Sequence, residues 1–384
     1  MQPEAPSVTS SIEPNAPRVV IKIGSGVLAP DGELSLPTLQ RICDDVMRLT
    51  RMGYAPVVVS SGTIACGRLK LGLEHMPRAL HLAQASAAIG QPVLMHAYQQ
   101  AFQIHDQTIA QVLLTADDFS HRQRYLNALR TLETLIDAGV VPIINENDSI
   151  LIDEIRVGDN DTLASLIGSA IRAQHAVIIS VAGGVRHASK DEVITELGDI
   201  ADALPHVNDE QSSSGTGGMG SKLNAVETLL AHGIETSIVP GPTDEVLDPV
   251  SRCLSGENIG TRFTIDDLED IPSARKSWLA HGCKPRGQVW VDAGAERALR
   301  QKGASLLAKG ITSVDGDFTN QELVEILNPS GEVFARGLST YSAREIDQIM
   351  GQRSEQFETI LGYHINDEVI HRQDLVILSQ TSFH

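Results

Sequence analysis

The chain has little of several features that mark common protein classes. Its 384 residues include four cysteines, with no CxxC pair and no histidine at metal-ligand spacing. That pattern argues against a zinc site or a disulfide framework and predicts free thiols in a reducing cytoplasm. No apolar run approaches the roughly 18 residues of a membrane span. The first 17 residues are polar and lack the apolar core of a signal peptide, which predicts a disordered tail.

Positive charge is also scarce. The chain has 30 Lys and Arg against 49 Asp and Glu, a formal net charge of −19. Nucleic acids and anionic membranes attract clusters of Lys and Arg, so this balance argues against both as partners. An anionic ligand must therefore be held by a local positive site. The 42% hydrophobic content is typical of a globular protein, and the length predicts about two domains.

What the chain does have is an alternation of short apolar strands and helical patterns. The predicted strands are 18–23, 55–59, 111–114, 140–144, 177–180 and 236–239. The predicted helices are 39–50, 79–105, 127–138, a pattern beginning at 163, and 223–231. Repeated βα units predict an α/β fold with a mostly parallel sheet sandwiched by helices.

The composition changes after an acidic stretch that ends at Pro272. Short strands at 288–291, 311–314, 323–327 and 369–370, with a helix at 293–302, predict a small β-rich second domain. The predicted organisation is a tail over 1–17, a first domain over 18–264, a linker over 265–274 and a second domain over 275–384.

Two clusters of carboxylate and amide side chains lie close together in the first domain. One, Asn145 to Asp148, follows a predicted strand, and the other, Gly158 to Asp161, precedes a predicted helix. Buried carboxylates are costly unless they are paired or bound to metal, so these clusters predict a polar ligand site. Strand ends and helix N-termini are where open α/β sheets bind ligands. The alternative is a solvated loop followed by a helix cap.

A glycine-rich segment, 212–222, ends in Lys222 and leads into a helix. Backbone N–H groups and a lysine would converge there on a phosphate, although the spacing of a Walker A motif is absent. A flexible linker is the alternative. Lys22 ends the first strand just before Gly24, and two such lysines would suit a phosphoryl-transfer site, where cations clamp a dispersed negative charge. Either lysine alone would more often lie on the surface.

These residues together resemble the amino acid kinase family, and within it the members that phosphorylate glutamate in proline biosynthesis. The resemblance is carried by 20–28, 59–65, the two acidic clusters and 215–222. It implies ATP as the donor, with Mg²⁺ bridging its phosphates, and the γ-carboxylate of L-glutamate as the acceptor. It also implies a homo-oligomer, a dimer or tetramer, and feedback by proline, and it gives no protein ligand for a metal.

The resemblance also assigns roles to individual residues. It implies that Lys22 and Lys222 stabilise the transferring group and that Asp161 orients them. The implied glutamate-binding residues are Ser61, Asn147, Asp148, Asp159 and Asn160. The implied nucleotide-binding residues are Lys22, Gly24, Ser180, Thr216, Gly217, Gly218, Met219 and Lys222. The acidic groups would face the α-ammonium of glutamate, and no general base is needed because a carboxylate with a pKa of about 4.3 is already ionised.

The second domain resembles the PUA domain through 303–311 and 335–338. PUA domains bind RNA in other proteins, but residues 275–384 have nearly equal numbers of acidic and basic side chains, which gives no strong phosphate-binding footprint. We interpret this domain as structural or regulatory.

One segment departs from the family pattern. Where the family has Thr-Asp and then Gly-Leu-Tyr, this chain has Ser180 and Val181 and continues to His187 without an aromatic residue. Val181 cannot accept a hydrogen bond from a nucleotide. This departure supports two alternatives: a paralogous kinase for another glutamate-like carboxylate, and a non-catalytic regulatory or RNA-binding protein with a decayed nucleotide site.

Overall fold

A computed structural model describes residues 16–77, 79–150, 160–187, 192–198, 200–203, 206, 218–264, 285–320 and 322–378. The predicted tail as far as residue 15 and the predicted linker at 265–274 lie outside these ranges. The described residues form two compact units, one within 1–116 and 128–271 and the other within 117–127 and 272–384. Among them, no helix has the length and apolar character needed to span a membrane.

Fifteen strands and twelve α-helices are described. The strands are β1 Arg18–Ile23, β2 Ala55–Val59, β3 Ile109–Leu114, β4 Val141–Glu146, β5 His175–Ser180, β6 Glu196–Leu197, β7 Glu235–Pro240, β8 Thr261–Phe263, β9 Gly287–Val291, β10 Leu306–Leu307, β11 Ile311–Gly316, β12 Leu323–Leu327, β13 Val333–Leu338, β14 Glu368–Ile370 and β15 Leu375–Ile377. The helices are α1 Ser25–Leu28, α2 Leu36–Arg51, α3 Thr63–Arg68, α4 Leu80–Gln103, α5 Ala116–Ser120, α6 Arg122–Asp137, α7 Asn160–Ala170, α8 Met219–Ala231, α9 Pro249–Leu254, α10 Ala293–Lys302, α11 Ala343–Ile349 and α12 Phe357–Leu361.

The first unit is built on an eight-stranded sheet in the order β3-β4-β2-β1-β5-β7-β8-β6. All neighbouring strands are parallel except β7 and β8, which are antiparallel. The central strands are β-branched runs buried along their length, as expected of strands that helices cover on both faces. This sheet confirms the predicted α/β fold.

The register of the parallel strands determines where the polar residues meet. Lys22 of β1 pairs with Val59 of β2 and with Ile178 of β5. Val59 in turn pairs with Ile144 of β4. Lys22 and the residues that follow β2, β4 and β5 therefore lie along one edge of the sheet, at the carboxyl ends of its strands. Open α/β sheets bind their ligands at this edge.

Four helices begin earlier than their apolar patterns predict. α2 starts at Leu36, α6 at Arg122, α7 at Asn160 and α8 at Met219. The sequence periodicity marks only the turns that bury apolar side chains, whereas the first turn of a helix is often polar. In α7 this first turn carries Asp161, which the structure buries completely.

Helices α3 and α4 approach each other closely through two glycines. A Cβ atom on Gly90 would lie 1.8 Å from the carbonyl oxygen of Thr63, and one on Gly67 would lie 1.9 Å from that of Ser86. No side chain fits at such distances, so the two helices are in direct backbone contact. α3 follows the end of β2, and this contact therefore fixes the position of the segment after that strand.

The second unit contains a five-stranded sheet in the order β11-β9-β12-β13-β15 and a two-stranded sheet of β10 and β14. It encloses its own apolar core, which includes Val289, Phe334 and Ile346. This confirms a separate β-rich domain. Strand β13 was not predicted, because Gly337 within it reads as a turn residue. The glycine is required since a Cβ atom there would lie 2.6 Å from Ile370 Cγ2.

We expect Gly90→Ala to lower the free energy of unfolding by about 1 to 3 kcal/mol, because the added methyl group must push α3 and α4 apart. Chemical denaturation measures this. The control is Gly220→Ala on α8, where a Cβ atom meets nothing within 4 Å and alanine improves helix propensity. Equal stabilities for the two variants would contradict the close contact.

Candidate active site

A buried cluster of two lysines and one aspartate lies at the carboxyl edge of the sheet. Asp161 Oδ1 is 2.5 Å from Lys22 Nζ, and Asp161 Oδ2 is 3.4 Å from Lys222 Nζ. The side chains come from β1, α7 and α8, and their exposed fractions are 4% for Lys22, 0% for Asp161 and 6% for Lys222. One carboxylate thus contacts two buried lysines. Ammonium groups in such a position could also face an incoming anion such as a phosphoryl group.

Two further groups fix the geometry of this cluster. Ser221 Oγ donates a hydrogen bond to Asp161 Oδ2 at 3.3 Å, and Lys222 Nζ donates to the carbonyl oxygen of Gly218 at 3.4 Å. Asp161 also lies in the first turn of α7, where the helix dipole favours a negative charge. Asp161 therefore contacts both lysines, and its role in orienting them for a reaction stays a prediction.

The turn after β1 depends on glycine. The N–H of Gly24 donates to the carbonyl oxygen of Ile179 in β5 at 3.0 Å. A Cβ atom at this position would lie 3.2 Å from the same oxygen, which is tighter than ordinary contacts. Gly24 thus lets the backbone between Lys22 and α1 lie against the end of β5.

A second set of polar contacts lies at the ends of β2 and β4. Asn160 Nδ2 donates to Ser61 Oγ at 3.0 Å, and Thr63 Oγ1 donates to Asp148 Oδ2 at 2.9 Å. Asn160 Oδ1 is buried, and no group in the described part of the chain hydrogen-bonds to it. Asn160 immediately precedes Asp161, so these contacts adjoin the lysine cluster.

Burial raises the pKa of the Asp148 carboxyl, and the hydrogen bond from Thr63 offsets part of that effect. The environment therefore disfavours the charged form of Asp148 when no ligand is bound. A positively charged group beside it would reverse this preference by stabilising the carboxylate.

A cavity of about 220 Å³ opens beside this second set. It is lined by Ala87, Ala88, Gln91, Pro92, Leu113, Glu146, Asn147, Asp148 and Ser149. The N–H of Asn147 donates to the carbonyl oxygen of Leu114 at 2.9 Å. Asn145 belongs to the same sequence cluster, but its side chain binds another side chain of the protein: its Nδ2 donates to Gln91 Oε1 at 3.0 Å.

The predicted nucleotide-binding residues are only partly brought together. Ser180 lies at the end of β5, and its Oγ accepts a hydrogen bond from the N–H of Ala182 at 3.3 Å. Met219 packs against an apolar cluster that includes Val226. Val181 is 71% exposed, whereas Val185 in the same altered segment is 1% exposed, so this segment lies only partly at the surface. Asp159, Thr216 and Gly217 lie outside the described residues.

Sequence reasoning missed three contributing side chains, Thr63, Gln91 and Ser221. Thr63 follows the Ser-Ser-Gly segment at the end of β2, and its place just after the carboxyl end of a predicted strand was the available signal. Gln91 lies in the mostly apolar helix α4, and Ser221 lies in the glycine-rich segment. Nothing in their local sequence identifies Asn145 or Asp161 as their partners.

Comparison with known proteins follows the same division of the chain. Residues 17–240 match the family model "Amino acid kinase family", and residues 287–361 match the model "PUA domain". The glutamate 5-kinase of Pelobacter propionicus is 42% identical over 368 residues, which cover 94% of this chain and 97% of that protein. The glutamate 5-kinase of Geobacter sulfurreducens is 40% identical over 376 residues, which cover 96% of this chain and 100% of that protein. Among solved structures, carbamate kinase from Giardia lamblia bound to AMP-PNP aligns with a TM-score of 0.47 and 18% identity, over 66% of this chain and 99% of its own.

We expect Asp161→Asn to lower the free energy of unfolding by about 3 to 5 kcal/mol, because it leaves two buried ammonium groups without their carboxylate. Denaturation of the full chain measures this. The matched control is Asp45→Asn on α2.

Asp45 is nearly as buried as Asp161, but its described hydrogen-bond partners are uncharged. They include the N–H groups of Val250 and Ser251, at 2.8 and 3.1 Å. Burial raises the pKa of its carboxyl despite these hydrogen bonds. The two carboxylate oxygens of Asp45 accept one N–H group each, so an amide keeps one of these hydrogen bonds and turns its NH2 group towards the other donor. This should cost about 1 to 3 kcal/mol, less than the loss expected at Asp161. Equal losses at the two positions would show that the lysines do not depend on Asp161.

Proposed function

The chain belongs to the amino acid kinase family, with the glutamate 5-kinases as its relatives, and we propose that it transfers the terminal phosphoryl group of ATP to the γ-carboxylate of L-glutamate. The products are γ-glutamyl phosphate, the first intermediate of proline biosynthesis, and ADP. The observation that carries this proposal is the buried cluster of Lys22, Asp161 and Lys222, with the polar groups of Ser61, Asn160 and Asp148 beside it.

In the proposed reaction, an oxygen of the γ-carboxylate attacks the terminal phosphorus of ATP, and the bond from that phosphorus to the ADP oxygen breaks. The ammonium groups of Lys22 and Lys222 face the charge that spreads over the transferring oxygens. Asp161 holds both lysines before the nucleotide arrives, so little reorganisation is needed during transfer. No proton has to be removed from the attacking group, because it is already a carboxylate.

ATP is the proposed phosphoryl donor, and Mg²⁺ is the proposed metal ion. Within the described ranges, no group of three His, Cys, Asp or Glu side chains could hold a metal ion. In the proposed reaction Mg²⁺ would accompany the phosphates of ATP and neutralise part of their charge. The phosphates would approach the backbone at Gly24 and at the start of α8, where Gly218 and Met219 lie. Thr216, Gly217 and Ser180 complete the proposed nucleotide site.

The glutamate site is proposed at the ends of β2 and β4. Asp148 would accept a hydrogen bond from the α-ammonium group, and the buried Asn160 Oδ1 offers a second acceptor. Ser61, Asn147 and Asp159 complete the proposed set. An ammonium group would also remove the electrostatic cost of the buried Asp148 carboxylate, which explains why an acidic residue serves in the binding of an acidic substrate.

The two alternatives from the sequence are not favoured. The similarity to glutamate 5-kinases extends over 94% of the chain, and the lysine cluster is intact. The effect of the altered segment from Ser180 to His187 on nucleotide choice stays a prediction. Feedback by proline, assembly into a dimer or tetramer and a cytoplasmic location also stay predictions.

The test of this proposal is to trap the acyl phosphate with hydroxylamine in the presence of Mg·ATP and L-glutamate. Lys222→Ala should reduce hydroxamate formation by about 10² to 10³, because a charge that stabilises the transition state is lost. Lys70→Ala is the matched control, since Lys70 is an exposed lysine in the same unit. No glutamate-dependent hydroxamate from the unmodified chain would overturn the proposed function.

Glutamate use should also depend on the protonation of Asp148. Because burial raises the pKa of this carboxyl, protonation begins at a higher pH than for an exposed aspartate. We expect kcat/KM for glutamate to fall as pH decreases through this raised pKa, since the protonated form cannot pair with an ammonium group.

Asp148→Asn is the control for this pH profile. The amide has no charge to lose, so this variant should have a low kcat/KM without the same acid limb. The assay is the hydroxamate reaction across mildly acidic pH at limiting glutamate. An identical acid limb in both proteins would assign the titration to another group.

A further inference from the structure

We propose that Tyr98, in the interior of α4, is a positioning residue for the glutamate site and acts through Ser60. The inference rests on the proposed function, because it concerns the residue that presents Ser61 to Asn160. Tyr98 itself does not contact the proposed substrate-binding groups. Its effect passes through one buried hydroxyl group and one backbone carbonyl.

The contact lies in the interior of the first unit. Tyr98 OH is 2.8 Å from Ser60 Oγ, and both residues are 0% exposed. Burial raises the pKa of the Tyr98 hydroxyl, which is therefore neutral and able to donate a proton. A buried hydroxyl is costly without a partner, so each of these two groups stabilises the other in place.

The hydrogen bonds run in one direction. Ser60 Oγ donates to the carbonyl oxygen of Ser61 at 3.3 Å. A serine hydroxyl has only one proton to donate. When Ser60 uses it on the Ser61 carbonyl, the 2.8 Å hydrogen bond between Tyr98 and Ser60 uses the proton of tyrosine. Tyr98 O–H therefore donates to Ser60 Oγ, and Ser60 O–H donates to the carbonyl oxygen of Ser61.

Ser61 is held at both ends by this arrangement. Its carbonyl oxygen accepts from Ser60, and its Oγ accepts from Asn160 Nδ2 at 3.0 Å. The next residue, Gly62, has φ +96°, a left-handed conformation in which the backbone turns sharply into α3. The orientation of the Ser61 peptide therefore affects both its own hydroxyl and the start of the helix that carries Thr63, the partner of Asp148.

The hydrogen bond to Ser60 explains why residue 98 is a tyrosine, although a phenylalanine ring would pack equally well there. Tyr98 stacks on Phe102 with ring centroids 6.4 Å apart and an interplanar angle of 23°, in a cluster of apolar side chains. The ring alone would satisfy that packing. The hydroxyl adds a polar group to an apolar environment, and its one described partner is the residue that precedes Ser61.

The test compares Tyr98→Phe, Ser60→Ala and the double variant with the unmodified chain in the hydroxamate assay. Each single substitution should raise the KM for glutamate by about five- to tenfold, the effect of one lost buried hydrogen bond. The KM for ATP should not change. The KM for glutamate of the double variant should not exceed that of the more affected single variant, because both substitutions break the same series of hydrogen bonds.

Phe102→Leu is the control for a purely structural effect, since it disturbs the same buried cluster without removing a hydroxyl. It should lower Tm and leave the KM for glutamate unchanged. Equal rises in both KM values for Tyr98→Phe, or additive effects in the double variant, would overturn the positioning role. If the unmodified chain is active and Tyr98→Phe has the same KM for glutamate, the positioning role is overturned as well. An unmodified chain that forms no hydroxamate would instead overturn the proposed function.

Discussion

The site depends on one carboxylate that is shared by two buried lysines. Asp161 contacts Lys22 at 2.5 Å and Lys222 at 3.4 Å, and the three side chains come from segments far apart in the sequence. The parallel sheet makes this possible, since β1 lies beside β5 and presents Lys22 at the edge where α7 and α8 begin. All three side chains are buried. The fold therefore brings two cationic groups together before any ligand binds, which supports the proposed phosphoryl transfer.

The sheet also separates the two proposed substrates. The polar groups assigned to glutamate follow β2 and β4 or lie at the start of α7, whereas those assigned to the nucleotide lie near β1, β5 and α8. Lys22 stands between the two sets, because β1 pairs with both β2 and β5. The reacting oxygen and phosphorus would thus meet beside this lysine. In the proposed arrangement, Lys22 would mark the boundary between the acceptor site and the donor site.

Much of this arrangement could be predicted from the sequence, for physical reasons. The central strands are runs of β-branched residues, and such runs are recognisable without knowledge of the fold. Lys22 and Asp161 stand out because charged residues beside apolar elements need partners. The partners themselves were not predictable: Thr63 binds Asp148 across a separation of 85 residues, and no local pattern encodes that distance. Strand β13 was missed because its interior Gly337 accommodates Ile370, a requirement that appears only in the folded structure.

The backbone contact between α3 and α4 links two helices that carry side chains of the candidate site. With no side chains between Gly67 and Gly90, neither helix can slide or rotate without the other. Thr63 and Gln91, which lie on opposite members of this pair, must then keep a fixed separation. A change of specificity for the carboxylate substrate would therefore have to keep Gly67 and Gly90. New side chains could be introduced around the cavity, with α3 and α4 kept as a single rigid unit.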